Sequence, residues 1–258
     1  MKMRTILAAS AALLMTSAAA YSAEVAALIG NDTIATVDTA AKKATGSVKV
    51  SGISGALVGI DVRPADGLLY GLVDDGTVVT IAKDGKATVK SKLETMLNKG
   101  VTATVDFNPV ADRLRVMGSD GMSLRANVDD GKVTKDGDHK FAETDANKGG
   151  KPNVVAGAYT NSVKGTKETA LFNIDSKAGL VKQAPPNDGI LTTIGALGIK
   201  ADVVAFDIAT DASGKNDAWV MAGDTLYSVD LTTGKAAEAA KITGVSGKVK
   251  DIAVMPGK

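Results

Sequence analysis

The sequence has no cysteine and only one histidine, and these two shortages exclude several kinds of site. Without cysteine there are no disulfides, thiolate metal centres or cysteine nucleophiles. The single histidine, His139, rules out metal sites built from several imidazoles, and its polar neighbours predict an exposed loop side chain. The 30 basic residues are nearly balanced by 29 acidic residues and form no continuous basic block, which argues against a nucleic-acid partner. No Gly-x-Ser-x-Gly motif marks a serine nucleophile.

Residues 1–23 have the pattern of a secretory signal peptide. Lys2 and Arg4 give a cationic start, residues 6–20 are mainly apolar, and small residues follow. The apolar run is shorter than the roughly 20 residues that span a bilayer, although an uncleaved anchor is the alternative. We therefore predict a single domain over residues 24–258 that is periplasmic or secreted, without membrane insertion after signal cleavage.

A short apolar run that ends near a polar residue and often a proline recurs along the chain. Its copies cover residues 57–64, 103–109, 154–159, 203–208 and 251–256. The repeat length of about 45 to 50 residues suits four short strands and their turns. Asp-Gly pairs between the β-rich runs that follow are typical of hairpins. The pattern predicts an all-β fold, with one possible short helix over residues 91–98.

The two ends of the chain complement each other. Residues 27–38 align with residues 70–81, which belong to a unit that has a first strand, whereas the N-terminal segment lacks one. Residues 249–255 form a first strand without the rest of a unit. We predict a five-bladed β-propeller in which the N-terminal strands plus the C-terminal strand close one blade, because closure hides sheet edges. A β-sandwich with coincidental repeats is the alternative.

Several of these stretches resemble a bacterial family of exported proteins that is catalogued only as a domain of unknown function with a propeller-like repeat. The most specific matches are Asp-Phe-Asn-Pro at 106–109, Asp-Arg-Leu-Arg-Val at 112–116 and Pro-Pro-Asn-Asp-Gly at 185–189. The resemblance runs from about residue 25 to the C-terminus. It implies a propeller and export, and it supplies no reaction and no catalytic residue.

Three aspartates occupy the same position in three of the first strands: Asp61, Asp106 and Asp207. First strands line the channel of a propeller, so these carboxylates are expected at one mouth, where they would suit a hard cation such as calcium. Ala158 and Ala253 occupy the position in the other two units, which leaves any ring incomplete. The alternative, which we favour, is that each carboxylate accepts backbone hydrogen bonds and holds the neighbouring blade.

Arg63, Asn108 and Arg113 complete the candidate ligand site, because they lie next to these aspartates or in the turns that follow. Guanidinium groups can clamp a carboxylate or a phosphate. Asp66 and Asp112 are close in sequence, so ion pairs between blades are the alternative and the one we favour.

Together these features predict a non-enzymatic binding or scaffold protein that requires no cofactor, although calcium is compatible with the aspartates. We expect a monomer whose partner is a protein or a small molecule. Two alternatives stay open. One is a metal- or small-molecule-binding protein with its site at the channel mouth, and the other is a calcium-dependent hydrolase or lactonase.

Overall fold

The computed structural model describes residues 23–200 and 204–256, and the regular secondary structure of these residues is almost entirely β-strand. The predicted signal peptide, apart from Ala23, lies outside the described residues. The helix expected over residues 91–98 is wrong. Its first residues belong to a strand, and the backbone N–H groups of Leu93 and Glu94 donate to Gly76 and Gly131 rather than within a helical turn. The described helical structure is the short 3₁₀ turn Pro186–Asp188.

The strands form five small sheets, which we number as blades 1 to 5, and apart from one short parallel pair in blade 4 the named strands pair antiparallel. Blade 1 begins with β1 (Glu24–Ile29), β2 (Thr33–Asp38) and β3 (Lys43–Lys49). Blade 2 contains β4 (Leu57–Val62), β5 (Leu69–Val73), β6 (Thr77–Ile81) and β7 (Ala87–Lys92). Blade 3 contains β8 (Ala103–Asn108), β9 (Arg113–Gly118), β10 (Ser123–Ala126) and β11 (Val133–Lys135).

Blade 4 is the largest sheet and has five strands. They are β12 (Lys140–Phe141), β13 (Val154–Tyr159), β14 (Leu171–Asp175), β15 (Gly179–Gln183) and β16 (Ile190–Gly195). Blade 5 contains β17 (Ala205–Thr210), β18 (Asn216–Ala222), β19 (Thr225–Val229) and β20 (Ala236–Lys241). The last strand, β21 (Val249–Val254), returns to blade 1.

Strand β21 completes blade 1 from the far end of the chain. It pairs antiparallel with β1, with Val25 opposite Val254 and Leu28 opposite Asp251. The inner strands then follow one another around the ring in the order β4, β8, β13, β17 and β21, and β21 packs against β4. The prediction of a five-bladed propeller with one composite blade is therefore confirmed.

The apolar core is divided among the junctions between blades. Four large clusters of buried side chains each join residues of two neighbouring blades, as Leu28 of blade 1 and Ile60 of blade 2 do. The junction of blades 3 and 4 differs, because the described cluster there contains only Met117, Tyr159 and Leu171. Polar side chains therefore supply much of the contact between these two blades.

The short strand β12 covers the outer edge of blade 4. It pairs parallel with β16, and the segment that follows is fixed to the same strand by side chains. Asp145 accepts hydrogen bonds from the backbone and the hydroxyl of Thr193, and Asn147 donates to that hydroxyl. Covering an outer strand removes an edge at which another chain might pair.

Candidate functional site

Asp61, Asp106 and Asp207 come together in the central channel. They lie in the inner strands β4, β8 and β17, and they are buried, with residue exposures of 7%, 3% and 5%. One carboxylate oxygen from each lies within 4.8 Å of the other two. Three different blades thus place their acidic groups in one small volume.

Each of these carboxylates also binds the next blade of the ring. Asp61 accepts a hydrogen bond of 2.6 Å from the backbone N–H of Phe107, and Asp106 accepts one of 3.0 Å from Tyr159. Asp207 accepts one of 2.6 Å from Val254 on the closing strand. These are the bonds that the structural interpretation of the sequence predicts.

The sequence pattern did not single out Asp251, which makes the same kind of link from β21 to blade 2. Its carboxylate accepts hydrogen bonds from the backbone N–H groups of Ile60 and Ile252, both at 3.0 Å. It lies two residues before Ala253, the position that aligns with Asp61. At this position the other inner strands have Gly59, Thr104, Ala156 and Ala205, so the repeat pattern does not mark it.

Burial raises the pKa values of the four channel aspartates, Asp61, Asp106, Asp207 and Asp251. For Asp61 and Asp106, desolvation raises the pKa well above its usual range, and the neighbouring aspartates raise it further. Desolvation raises the pKa of Asp207 to about 6, and it also raises the pKa of Asp251. Such a cluster holds protons more firmly than isolated carboxylates do, and a bound cation would relieve the repulsion.

A cavity of about 480 Å³ opens above the cluster, on the face where the inner strands end. Asp61 and Asp207 line it together with Lys164, Thr210 and Met255. The backbone and side-chain oxygens around this mouth are the ligand type that hard cations prefer. Asp61, Asp106 and Asp207 are therefore the residues that would hold a metal ion.

Arg63 lies in a different environment, at the junction of blades 2 and 3. Its guanidinium binds both carboxylate oxygens of Asp112, at 2.8 and 2.6 Å, and also contacts Asp129 at 3.2 and 2.8 Å. It further donates to the hydroxyl of Tyr70, and these bonds raise its pKa. The donors of Arg63 are thus engaged between blades, as the ion-pair interpretation predicts.

Asn108 and Arg113 shape the turn between β8 and β9. The side-chain oxygen of Asn108 accepts hydrogen bonds from the backbone N–H groups of Val110 and Ala111, both at 2.9 Å. Arg113 donates to the carbonyl oxygens of Ala111 and Asp112. Of the candidate residues, the structure therefore brings together the three aspartates, while Arg63, Asn108 and Arg113 have partners elsewhere.

Arg115 is the polar centre of the junction between blades 3 and 4. The residue is 1% exposed and pairs with the buried carboxylate of Asp136. It also donates to Ser123 within its blade and to Tyr159 and Asn187 of the next blade. This network occupies the junction where the apolar cluster is smallest.

His139 is buried at the same junction, and its expected exposure in a loop is wrong. The residue is 7% exposed, and neither ring nitrogen has a hydrogen-bond partner among the described residues. Its backbone N–H donates to Gly121, and the neighbouring Gly137 donates to Asn187, so main-chain bonds hold the segment against blades 3 and 4. Burial lowers the pKa of His139 to about 4.

The fold and site define a class: a five-bladed β-propeller whose channel holds a buried carboxylate cluster at one mouth. Within this class the chain belongs to the family described as Domain of unknown function (DUF4394), whose sequence model matches residues 33–253. The resemblance noted in the sequence is therefore confirmed. No curated protein matches the chain.

Two solved structures are similar to the chain at low sequence identity. A structural-genomics protein of unknown function from Bacteroides thetaiotaomicron is 15% identical with a TM-score of 0.51, over 91% of this chain and 65% of that one. A protein of unknown function from Bacteroides caccae is 11% identical with a TM-score of 0.48, over 92% of this chain and 100% of that one. Neither of these matches assigns an activity. The described residues include no helix of the length and apolarity needed to cross a membrane.

Proposed function

We propose that this propeller is an exported, periplasmic or secreted binding protein that holds a hard cation, calcium in the first instance, at the mouth where Asp61, Asp106 and Asp207 meet. The observation that carries the proposal is the separation of at most 4.8 Å between their oxygens. Calcium–oxygen distances are about 2.3 to 2.6 Å, so two ligands on opposite sides of one ion lie about 4.8 Å apart. The spacing therefore suits a single ion.

The charge balance of the cluster supports the same proposal. No lysine or arginine among the described residues makes an ion pair with any of the three carboxylates. Buried carboxylates without a counter-charge are costly and either bind protons or attract a cation. Protons and calcium would compete for this site, because the pKa values of the aspartates are raised.

The surrounding face has features that suit contact with a further ligand or partner. The cavity above the cluster, about 480 Å³, has the size of a small-molecule site. Among the described residues, four large aliphatic side chains are exposed, and three of them lie in loops that follow inner strands on this face, namely Leu68, Val110 and Val163. A cation at the base of the cavity would give a bound molecule with oxygen donors a point of attachment.

The test is thermal unfolding of the mature protein, first with a chelator and then with calcium, magnesium or manganese. A ligand present at 100 times its Kd adds about 2.7 kcal/mol, which corresponds to a Tm increase of about 5 to 10 °C for a chain of this size. We expect calcium to produce such an increase and Asp106→Asn to remove it.

Asp251→Asn is the matched control. Asp251 is buried and accepts two backbone hydrogen bonds, as Asp61 does, but it is not one of the three converging carboxylates. We expect this variant to keep most of the calcium response. The absence of a shift with every cation, or an equal loss in both variants, would overturn the proposal.

The hydrolase or lactonase alternative is favoured by the position of Asp207, a buried carboxyl group that lines the cavity and whose pKa desolvation raises to about 6. A carboxyl group that titrates near neutral pH suits general acid–base catalysis. Its test is the hydrolysis of a panel of esters and lactones with calcium present. Calcium-dependent turnover that is lost in Asp207→Asn and retained in Asp251→Asn would establish the enzyme, and absence of turnover would leave a binding protein.

A further inference from the structure

The channel has a second mouth at the opposite end, where the inner strands begin. A cavity of about 520 Å³ opens there. One residue from each inner strand lines it. Each of these residues lies three positions before the one that is Asp61, Asp106 or Asp207 in three strands and alanine in the other two. They are Val58, Ala103, Val155, Val204 and Lys250. Four of the five blades thus present a small aliphatic side chain at this level, and the closing strand presents a lysine.

Lys248, the residue before β21, lines the same cavity, so the closing strand and the residue that precedes it bring two positive charges to this mouth. The ion pairs of the described lysines involve other residues, so neither Lys248 nor Lys250 has a carboxylate partner within 4.0 Å there. The ammonium group of Lys250 donates to the neutral oxygens of Asn31, at 2.6 Å, and Leu57, at 3.4 Å. Its charge is therefore solvated by the protein but not balanced.

The electrostatics of Lys250 agree with this geometry. Partial burial lowers its pKa, and the neighbouring Lys248 lowers it further. Asp74 also lines the cavity and acts in the opposite direction on Lys250, while its carboxylate accepts the backbone N–H of Ala56 at 3.3 Å. The described charged groups of the cavity are thus two lysines against one aspartate, which leaves a positive excess.

We propose that this second mouth binds organic carboxylates with a short apolar body. The carboxylate would pair with Lys248 and Lys250, and the body would lie against the aliphatic ring formed by Val58, Val155 and Val204. The volume falls within the range of about 300 to 1,000 Å³ that is usual for small-molecule sites. The aliphatic ring favours this class over inorganic phosphate, which would gain nothing from apolar walls. The site is independent of the cation proposed at the other mouth.

The experiment is isothermal titration of the mature protein with hexanoate, in the presence of a chelator. Three comparison ligands separate the contributions: hexanol has the body without the charge, hexylammonium has the opposite charge, and inorganic phosphate has charge without a body. We expect hexanoate to bind at least about tenfold more tightly than each of them. Equal binding of hexanol or hexylammonium, or tighter binding of phosphate, would overturn the proposal, as would no binding of hexanoate.

Lysine variants locate the site. We expect Lys250→Met and Lys248→Met each to weaken hexanoate binding about tenfold, the effect of losing one charged contact. Lys164→Met is the matched control, because Lys164 lines the opposite mouth. If Lys250→Met does not fold, the exposed Lys248 still provides the test. Unchanged binding in Lys248→Met, or loss of binding in Lys164→Met, would refute the assignment.

Discussion

The buried imidazole of His139 makes the stability of this propeller sensitive to acid. Its pKa is about 4 in the folded protein and 6.5 in an unfolded chain. Below about pH 6.5 the imidazole of the unfolded chain binds a proton, whereas that of the folded protein stays neutral. The free energy of unfolding therefore decreases as pH falls from about 6.5 to about 4. The full difference between the two pKa values corresponds to a loss of about 3 kcal/mol in the free energy of unfolding, and between pH 7 and pH 4.5 this loss is about 2 kcal/mol.

His139→Leu removes the titrating group and keeps an apolar side chain of similar size. Urea unfolding at pH values from 7 to 4.5, with a chelator present and the fluorescence of the single Trp219 as the signal, measures both proteins. Wild-type protein should lose about 2 kcal/mol more than the variant over this range, which moves its urea midpoint by about 1 M. The other titrating groups are common to both proteins and cancel. Equal losses in the two proteins would show that His139 is not held as a buried neutral imidazole.

Three further predictions concern the junctions and the cluster. Deleting Val249–Lys258 should abolish the cooperative thermal transition, because it leaves one edge of β1 unpaired and opens the ring, and circular dichroism with heating checks this. Arg115→Met should lower the free energy of unfolding by about 3 kcal/mol, because it leaves several buried groups without a partner. Arg63→Met should lower it by about 1 kcal/mol, because the partners of Arg63 are half-exposed. Chemical denaturation of both variants measures the two losses. In chelator at pH 8, Asp106→Asn should raise the Tm rather than lower it. The raised pKa of Asp106 means that its ionised form weakens the fold above that pKa, so a lower Tm would show that the carboxylate is purely structural.

The fold was predictable from sequence because its signals are local or periodic. Asp-Gly turns mark the hairpins, and the repeated inner-strand pattern fixes the number of blades and the position of the composite one. The convergence of Asp61, Asp106 and Asp207 follows from the same repeat, since equivalent positions in a ring of blades lie at the same height of the channel.

The contacts across the junction of blades 3 and 4 were not predictable in this way. They depend on how two blades meet, and residues far apart in sequence determine this. Arg115 contacts Tyr159 and Asn187 of the next blade, and no repeat pattern links them. The polar run around His139 is typical of an exposed loop, and only its main-chain bonds to blades 3 and 4 explain its burial.

The composite blade also determines the order in which the molecule can assemble. Most pairings within blades 2 to 5 join neighbouring strands of a hairpin and can form early, because few residues separate the partners. The pairing of Val25 with Val254 instead has to close a loop of almost the whole described chain. We therefore expect ring closure to be a late and slow step. Until it occurs, β1 is an open edge, and both ends of the channel lack the residues that β21 supplies.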